Sequence, residues 1–212
     1  MRVILKPVGL VCVLVAFVAL TFLAVRQSRM VDGKKEQTVT SAPGTQSVGA
    51  DLVNAGFEEK YVPVQPFSQE GVVSGVVAAP WVDDSSWAQV VVDYSQDSDN
   101  PHEGKSCQKV VVTEVSTVKE ARVQFVQELN LALNKSHRAS CWIRADRTTE
   151  IDIALRQKPW PYRYYGVNKV KIGNQWKKIE VSGTPSLAGT TFLMLKISKP
   201  VTFWVDDAKV SQ

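Results

Sequence analysis

The sequence predicts an all-β fold: a two-sheet antiparallel β-sandwich over residues 51–212, preceded by one N-terminal hydrophobic helix. Three observations carry this. From Trp87 onward, strand-length segments alternate apolar and polar residues, as a strand with one face on a core must. Turn-forming stretches such as Ser98 to Gly104 and Gly183 to Ser186 punctuate them at short intervals. No segment of residues 51–212 repeats apolar residues at helical spacing.

Taken in order, the chain opens with Arg2 and Lys6 ahead of an uncharged apolar run from Val8 to Val25. Its eighteen residues are at the lower limit for crossing a bilayer and long for the core of a signal peptide. Cleavage needs small residues first and third before the cut, and cuts after Ala24 or Ala19 put Phe22 or Phe17 third. Residues 1–25 therefore read as a signal anchor in preference to a cleaved signal peptide. Residues 26–50 are polar, rich in Ser, Thr, Gly and Gln, and read as a flexible linker. The expected location is the cell envelope, membrane-anchored with the domain outside the cytoplasm, or secreted.

Charge excludes one class of partner. Of 25 Lys and Arg and 21 Asp and Glu, residues 1–50 hold six and two, so residues 51–212 carry nineteen of each. A neutral domain lacks the basic footprint that nucleic-acid binding requires. Within the domain, strands are expected near Trp87 to Tyr94, Cys107 to Val115, Ala121 to Leu131, His137 to Ala145, Glu150 to Gln157, Tyr164 to Ile172, Trp176 to Ser182, Thr191 to Ser198 and Val201 to Val210.

The candidate site lies on three of these strands. His137, Ala139, Cys141, Ile143 and Ala145 share one face and turn Trp142 and Arg144 to the other. Ile151, Ile153 and Leu155 do the same for Asp152 and Arg156, and Val123 and Phe125 for Arg122 and Gln124. If these strands pair in one sheet, their outward residues form a polar stripe, rimmed by the loop that carries Trp160, Tyr162, Tyr164 and Tyr165. Guanidinium donors beside exposed rings suit a ligand with hydroxyls and apolar C–H faces, a sugar chain, with Trp142 and Trp160 expected to stack on it. Tyr, Trp and Arg are also the residues of protein interfaces, so an envelope protein–protein interaction module is the alternative. Phe57, Trp176, Phe192 and Phe203 read as packing residues; Trp81, Trp87 and Trp204 are undecided.

The blocks NAGFEE, HEGKSCQKVVV, FVQELNLALNKSHRASCWIRAD, VKIGNQWKKIEVSGT and VTFWVDDAKV, in that order, resemble the family 4/9/22 carbohydrate-binding modules. The resemblance spans about Asp51 to Gln212. It implies a galactose-binding-like jelly roll that binds glycan or polysaccharide without altering it. Such modules commonly accompany secreted glycoside hydrolases; no hydrolase domain stands in this sequence, so a hydrolase partner would be a separate chain. The resemblance also implies a structural calcium, with Glu58, Glu103 and Asp206 as matching carboxylates and Gly56 and Ser106 able to offer carbonyls; a bulge would substitute Asp207 for Asp206.

Nothing in the sequence assembles catalytic machinery, so the protein reads as a non-enzyme. His102 and His137 lack metal-ligand spacing to each other or to Cys, and there is no phosphate loop or nucleophile elbow. Glu128 and Asp152, the nearest pair of carboxylates for glycosidase chemistry, read as hydrogen-bonding groups on the binding face. Cys107 and Cys141 fit either one disulfide of an exported domain or two packed free thiols.

Overall fold

The computed structural model describes residues 52–118 and 120–212. The expected N-terminal helix and the linker lie outside the described residues. Twelve strands form the domain: β1 (Tyr61–Pro63), β2 (Val72–Ala78), β3 (Val82–Asp83), β4 (Val90–Asp97), β5 (Cys107–Val115), β6 (Val123–Leu129), β7 (His137–Ala145), β8 (Thr149–Gln157), β9 (Tyr164–Ile172), β10 (Lys177–Gly183), β11 (Thr191–Ile197) and β12 (Val201–Ser211). They make a seven-stranded sheet in the order β1-β2-β4-β5-β12-β7-β10 and a five-stranded sheet in the order β3-β6-β11-β8-β9. Among the described residues, no helix is long and apolar enough to cross a membrane.

The alternation that predicted the strands is the alternation that packs them. His137, Ala139, Cys141, Ile143 and Ala145 of β7 and Ile151, Ile153 and Leu155 of β8 are all buried between the sheets, meeting Leu193 and Leu195 of β11 and Phe203 and Val205 of β12 in one core. An aromatic cluster fills one part of this core. Trp81 stacks on Phe125 at 4.9 Å and meets Phe57 at 5.1 Å, and Tyr94 lies 5.5 Å from Phe125. Each fully buried side chain of this size contributes about 1.5–3 kcal/mol relative to exposure.

Three features depart from the expectation. Strands β1, β2 and β3 were not foreseen, because β1 and β3 are too short to show alternation and Gly75 interrupts β2. Gly75 is required where it stands: its φ is +92°, and a Cβ there would lie 1.9 Å from the carbonyl oxygen of Tyr94. One pairing is parallel, β2 with β4, because the chain visits the second sheet as β3 before returning in the same direction. The fourth strand begins at Val90, leaving Trp87 in the preceding turn.

Cys107 and Cys141 are buried and free. β12 runs between their strands, pairing Val205 with Gln108 on one side and Ile143 on the other. Two strand spacings separate them by roughly 9–10 Å, beyond the ~7 Å that a disulfide bridges.

Candidate ligand-binding groove

Cross-strand register builds the site on the outer face of the five-stranded sheet. Met194 of β11 lies opposite Val126 of β6 and Ala154 of β8, and Phe192 lies opposite Glu128 and Arg156. Val126, Ala154, Phe192 and Met194 form a small buried apolar cluster separate from the main core, and Phe192 of this cluster lines a groove. Parity turned these residues outward, yet they are covered, so this face is a lined depression rather than a solvated surface.

The groove encloses about 450 Å³. Four of its lining residues, Arg122, Gln124, Arg156 and Tyr162, are among those the sequence nominated. The others, Phe67, Asp84, Trp87, Lys158 and Phe192, were missed. Phe192 could have been found by extending the outward parity of Arg156 across the sheet. Phe67, Asp84 and Trp87 arrive from loops, where no periodicity marks them.

Arg156 donates from NH2 to Asp84 Oδ2 at 2.9 Å, and its guanidinium lies 5.3 Å from the Tyr162 ring and 5.4 Å from that of Phe192. Arg122 lies 5.0 Å over the Trp87 ring and donates to the Glu120 carbonyl at 2.9 Å. Three buried atoms at this groove have no hydrogen-bond partner: Nε of Arg122, Nε of Arg156 and Oε1 of Gln124. These atoms are covered, so it is the remaining polar atoms of the three side chains, both donors and acceptors, that a ligand with hydroxyls could meet in the depression. A larger depression of about 560 Å³ runs over Val72, Val91 and Thr113. It has no aromatic lining and none of its atoms is orphaned in this way.

Four cations at and beside the groove have carboxylate partners. Arg156 pairs with Asp84, Lys196 with Asp152 at 2.7 Å, Lys158 with Glu128, and Arg122 with Glu120 at 3.7 Å. Burial pushes the Asp84 carboxyl up from its ordinary value, against the pull of the Arg156 charge. The charge-balanced groove offers no electrostatic reason for an anionic ligand.

One wall is set by a buried carboxylate behind it. Asp83 accepts from the backbone N–H groups of Ser85 at 2.9 Å and Ser86 at 3.1 Å, from the Tyr94 hydroxyl at 2.7 Å and from the Ser85 hydroxyl. The turn so fixed carries Asp84 and Trp87, and the Trp87 indole N–H donates to the Asp84 carbonyl at 2.8 Å. Ser86 Oγ in turn accepts from the backbone N–H groups of Phe67 and Ser68 at 3.1 and 3.2 Å.

The remaining nominated residues divide. Asp152 lies along the same sheet face, held by Lys196, and the Lys196 ammonium lies 5.8 Å from the Tyr164 ring. Trp160 projects from the loop tip with 80% of its surface exposed. Tyr165 packs partly against the main core and donates to the Leu187 carbonyl at 3.2 Å. Trp142 and Arg144 are not in this groove: β7 belongs to the seven-stranded sheet, between β12 and β10. Parity gives the face of a strand, not the sheet that receives it, and the chain changes sheets between β6 and β7.

On that other sheet Trp142 and Arg144 hold a loop. Arg144 lies 3.8 Å from the Trp204 ring and 5.2 Å from that of Trp176, and donates to the Asp99 carbonyl at 3.0 Å. The Trp176 indole donates to the Asn100 carbonyl at 3.1 Å, the Trp204 indole to Asp97 Oδ2 at 2.9 Å, and the His102 ring stacks on Trp142 at 3.9 Å. The loop between β4 and β5 is thus clamped onto the outer face of the sheet.

The positions that the resemblance assigns to calcium meet the same loop. Glu58 Oε1 accepts from the backbone N–H groups of Lys105 at 2.8 Å and Ser106 at 3.1 Å, and the Ser106 hydroxyl donates to the Phe57 carbonyl, next to Gly56. Asp206 Oδ2 accepts from the N–H groups of His102 and Glu103 at 2.9 and 3.1 Å, and Oδ1 from that of Asp207 at 2.7 Å. The carboxylates that the resemblance assigns to calcium are thus engaged by backbone N–H groups.

No protein-family model matches the sequence, and no curated protein matches it. Solved structures do. A family 4 carbohydrate-binding module superimposes with a TM-score of 0.54 at 20% identity, over 76% of this chain and 99% of that one. A family 22 xylan-binding domain from Paenibacillus barcinonensis gives 0.50 at 8% identity, over 71% of this chain and 94% of that one. At these identities the likeness is one of fold: the chain has the jelly-roll β-sandwich of carbohydrate-binding modules.

Proposed function

We propose that the groove of the five-stranded sheet binds an uncharged glycan chain without altering it. The observation that carries the reading is a depression of about 450 Å³ lined by the rings of Trp87, Tyr162 and Phe192 together with the polar side-chain atoms of Arg122, Gln124 and Arg156. Those atoms suit sugar hydroxyls, and the rings and the Phe192 floor suit the apolar faces of pyranose units. The family 4/9/22 resemblance points the same way. Native-gel retardation by neutral xylan or β-glucan tests it. We expect retardation that Arg156→Ala and Trp87→Ala each reduce at a temperature where both variants remain folded. Wild-type protein that runs unretarded through a broad panel of neutral polysaccharides would exclude it.

We further propose that residues 1–25 anchor the domain to a membrane, with residues 26–50 as a tether, on the strength of the apolar run from Val8 to Val25. Mass measurement of the membrane-extracted protein should show an N-terminus before Val8. A glycoside hydrolase in a separate chain would then be a natural client. One observation favours the alternative of an envelope protein partner: Trp160 stands exposed outside the groove lining, beside Tyr162. Capture of an envelope protein that Trp160→Ala abolishes, without polysaccharide retention, would establish that reading instead.

A further inference from the structure

Away from the groove, three side chains with metal-binding atoms converge where the loop after β4 meets the end of β12. A ring nitrogen of His102 and carboxylate oxygens of Glu103 and Asp207 lie within 4.8 Å of one another. Asp206, next to Asp207, is 104 residues from His102, so the convergence is made by the fold and not by local sequence.

Each group is aimed. A bulge interrupts β12 between Asp206 and Lys209, and within it Asp207 has a φ of +44°, a left-handed conformation that aspartate tolerates better than most residues. The bulge lets consecutive aspartates do different work. Asp206 is buried and receives the backbone N–H groups of His102, Glu103 and Asp207, which fixes the loop. Asp207 turns to the cluster instead, facing the Lys209 ammonium at 3.0 Å. The His102 ring is held by stacking on Trp142 at 3.9 Å and by an edge contact with Trp176 at 5.9 Å. Its Nδ1 is buried and has no partner.

We propose that His102, Glu103 and Asp207 bind a divalent transition metal of the zinc class. Calcium takes six to eight oxygen ligands, whereas an imidazole with two carboxylates is a donor set for zinc and its neighbours. Three protein ligands leave one tetrahedral position for water. The aromatic stack orients the imidazole as an outer shell must, and the Lys209 ammonium is the resident cation that the metal displaces. A bound ion would tie the loop between β4 and β5 to β12 and stabilise the native state by mass action.

The test uses the full chain after chelator treatment, titrated with zinc chloride, cobalt chloride and calcium chloride. Because His102 lies on Trp142 and Trp176, metal at its ring should change the tryptophan emission. The expected result is a one-to-one response to zinc and cobalt with a rise in melting temperature, weakened at least about tenfold in His102→Gln and in Glu103→Gln and strengthened in Lys209→Met. Glu103 is exposed, so Glu103→Gln reports on the site even if His102→Gln fails to fold. Either of two results overturns the proposal: no response to zinc or cobalt at millimolar concentration, or a response that Glu103→Gln leaves unchanged.

Discussion

Removing the Asp83 carboxylate should collapse one wall of the groove from behind. The side chain is 4% exposed and receives four donors, two of which are backbone N–H groups, of Ser85 and Ser86, in fully buried residues. In Asp83→Ala the hydroxyls of Ser85 and Tyr94 can rotate toward other acceptors, but the N–H groups cannot. Each buried donor left unpaired costs about 1–3 kcal/mol, so the substitution should lower stability by about 2–6 kcal/mol. In Asp83→Asn the amide oxygen can take the N–H pair while its NH2 donates to the two hydroxyls. Only the charge assistance is lost, about 1–2 kcal/mol. Urea unfolding followed by tryptophan emission measures both. Asp83→Ala should also lose glycan retention under conditions where it remains folded, since Asp84, Trp87 and Phe67 all depend on this turn. Asp83→Ala within about 1 kcal/mol of wild type would refute the clamp, because that is less than the minimum for two orphaned donors. Burial pushes the Asp83 carboxyl above its ordinary value. The native state then holds a proton that the unfolded chain has released, so stability falls as pH rises from the ordinary carboxylate range through the raised value. The advantage of wild type over Asp83→Asn should shrink across that window in urea midpoints taken at successive pH values.

Other outcomes follow from the same geometry. Trp142→Ala should leave glycan retention unchanged and lower the melting temperature, because its ring supports His102 on the opposite sheet; loss of retention at unchanged melting would return Trp142 to the binding site. Trp87→Ala should weaken glycan binding by about 0.5–1.5 kcal/mol, the scale of one aromatic contact, as measured by titration calorimetry. Binding of neutral glycan should change little with salt, since the groove cations are paired with carboxylates and no counterions are released; a steep decline would mark an acidic ligand. Burial pushes the Cys107 thiol up to about 12 and raises that of Cys141 as well, so neither should react with a thiol reagent at pH 8 until the domain unfolds.

What the sequence made legible is what periodicity encodes. The inward and outward faces of β7 and β8 could be read residue by residue, and the ends of β5, β7 and β9 fall at the residues the sequence reading expected. Periodicity carries no information about pairing partners, and that is where the expected single-sheet stripe departs from the fold. Trp142 with Arg144 and Tyr162 with Arg156 look equivalent as sequence: an outward arginine near an aromatic ring on an amphipathic strand. The sheet that receives each strand separates them. Arg144 is covered by Trp204 and Trp176 and donates to the loop it holds, although its Nε, like those of Arg122 and Arg156, has no partner. Arg156 has Asp84 on one side and an open 450 Å³ depression on the other, with Gln124 and Arg122 unsatisfied beside it. The residues that convert this face into a groove, Phe67, Asp84 and Trp87, come from the stretch before β4, where a glycine, prolines and two very short strands hide any pattern. Asp83, which shapes that stretch, resembles any turn aspartate until its four donors are seen together. A groove of this kind is therefore set by loops whose order depends on buried polar bonds, and substitutions at Asp83 or Ser86, neither of which lines the groove, should reshape ligand binding without removing a side chain from the periodic core.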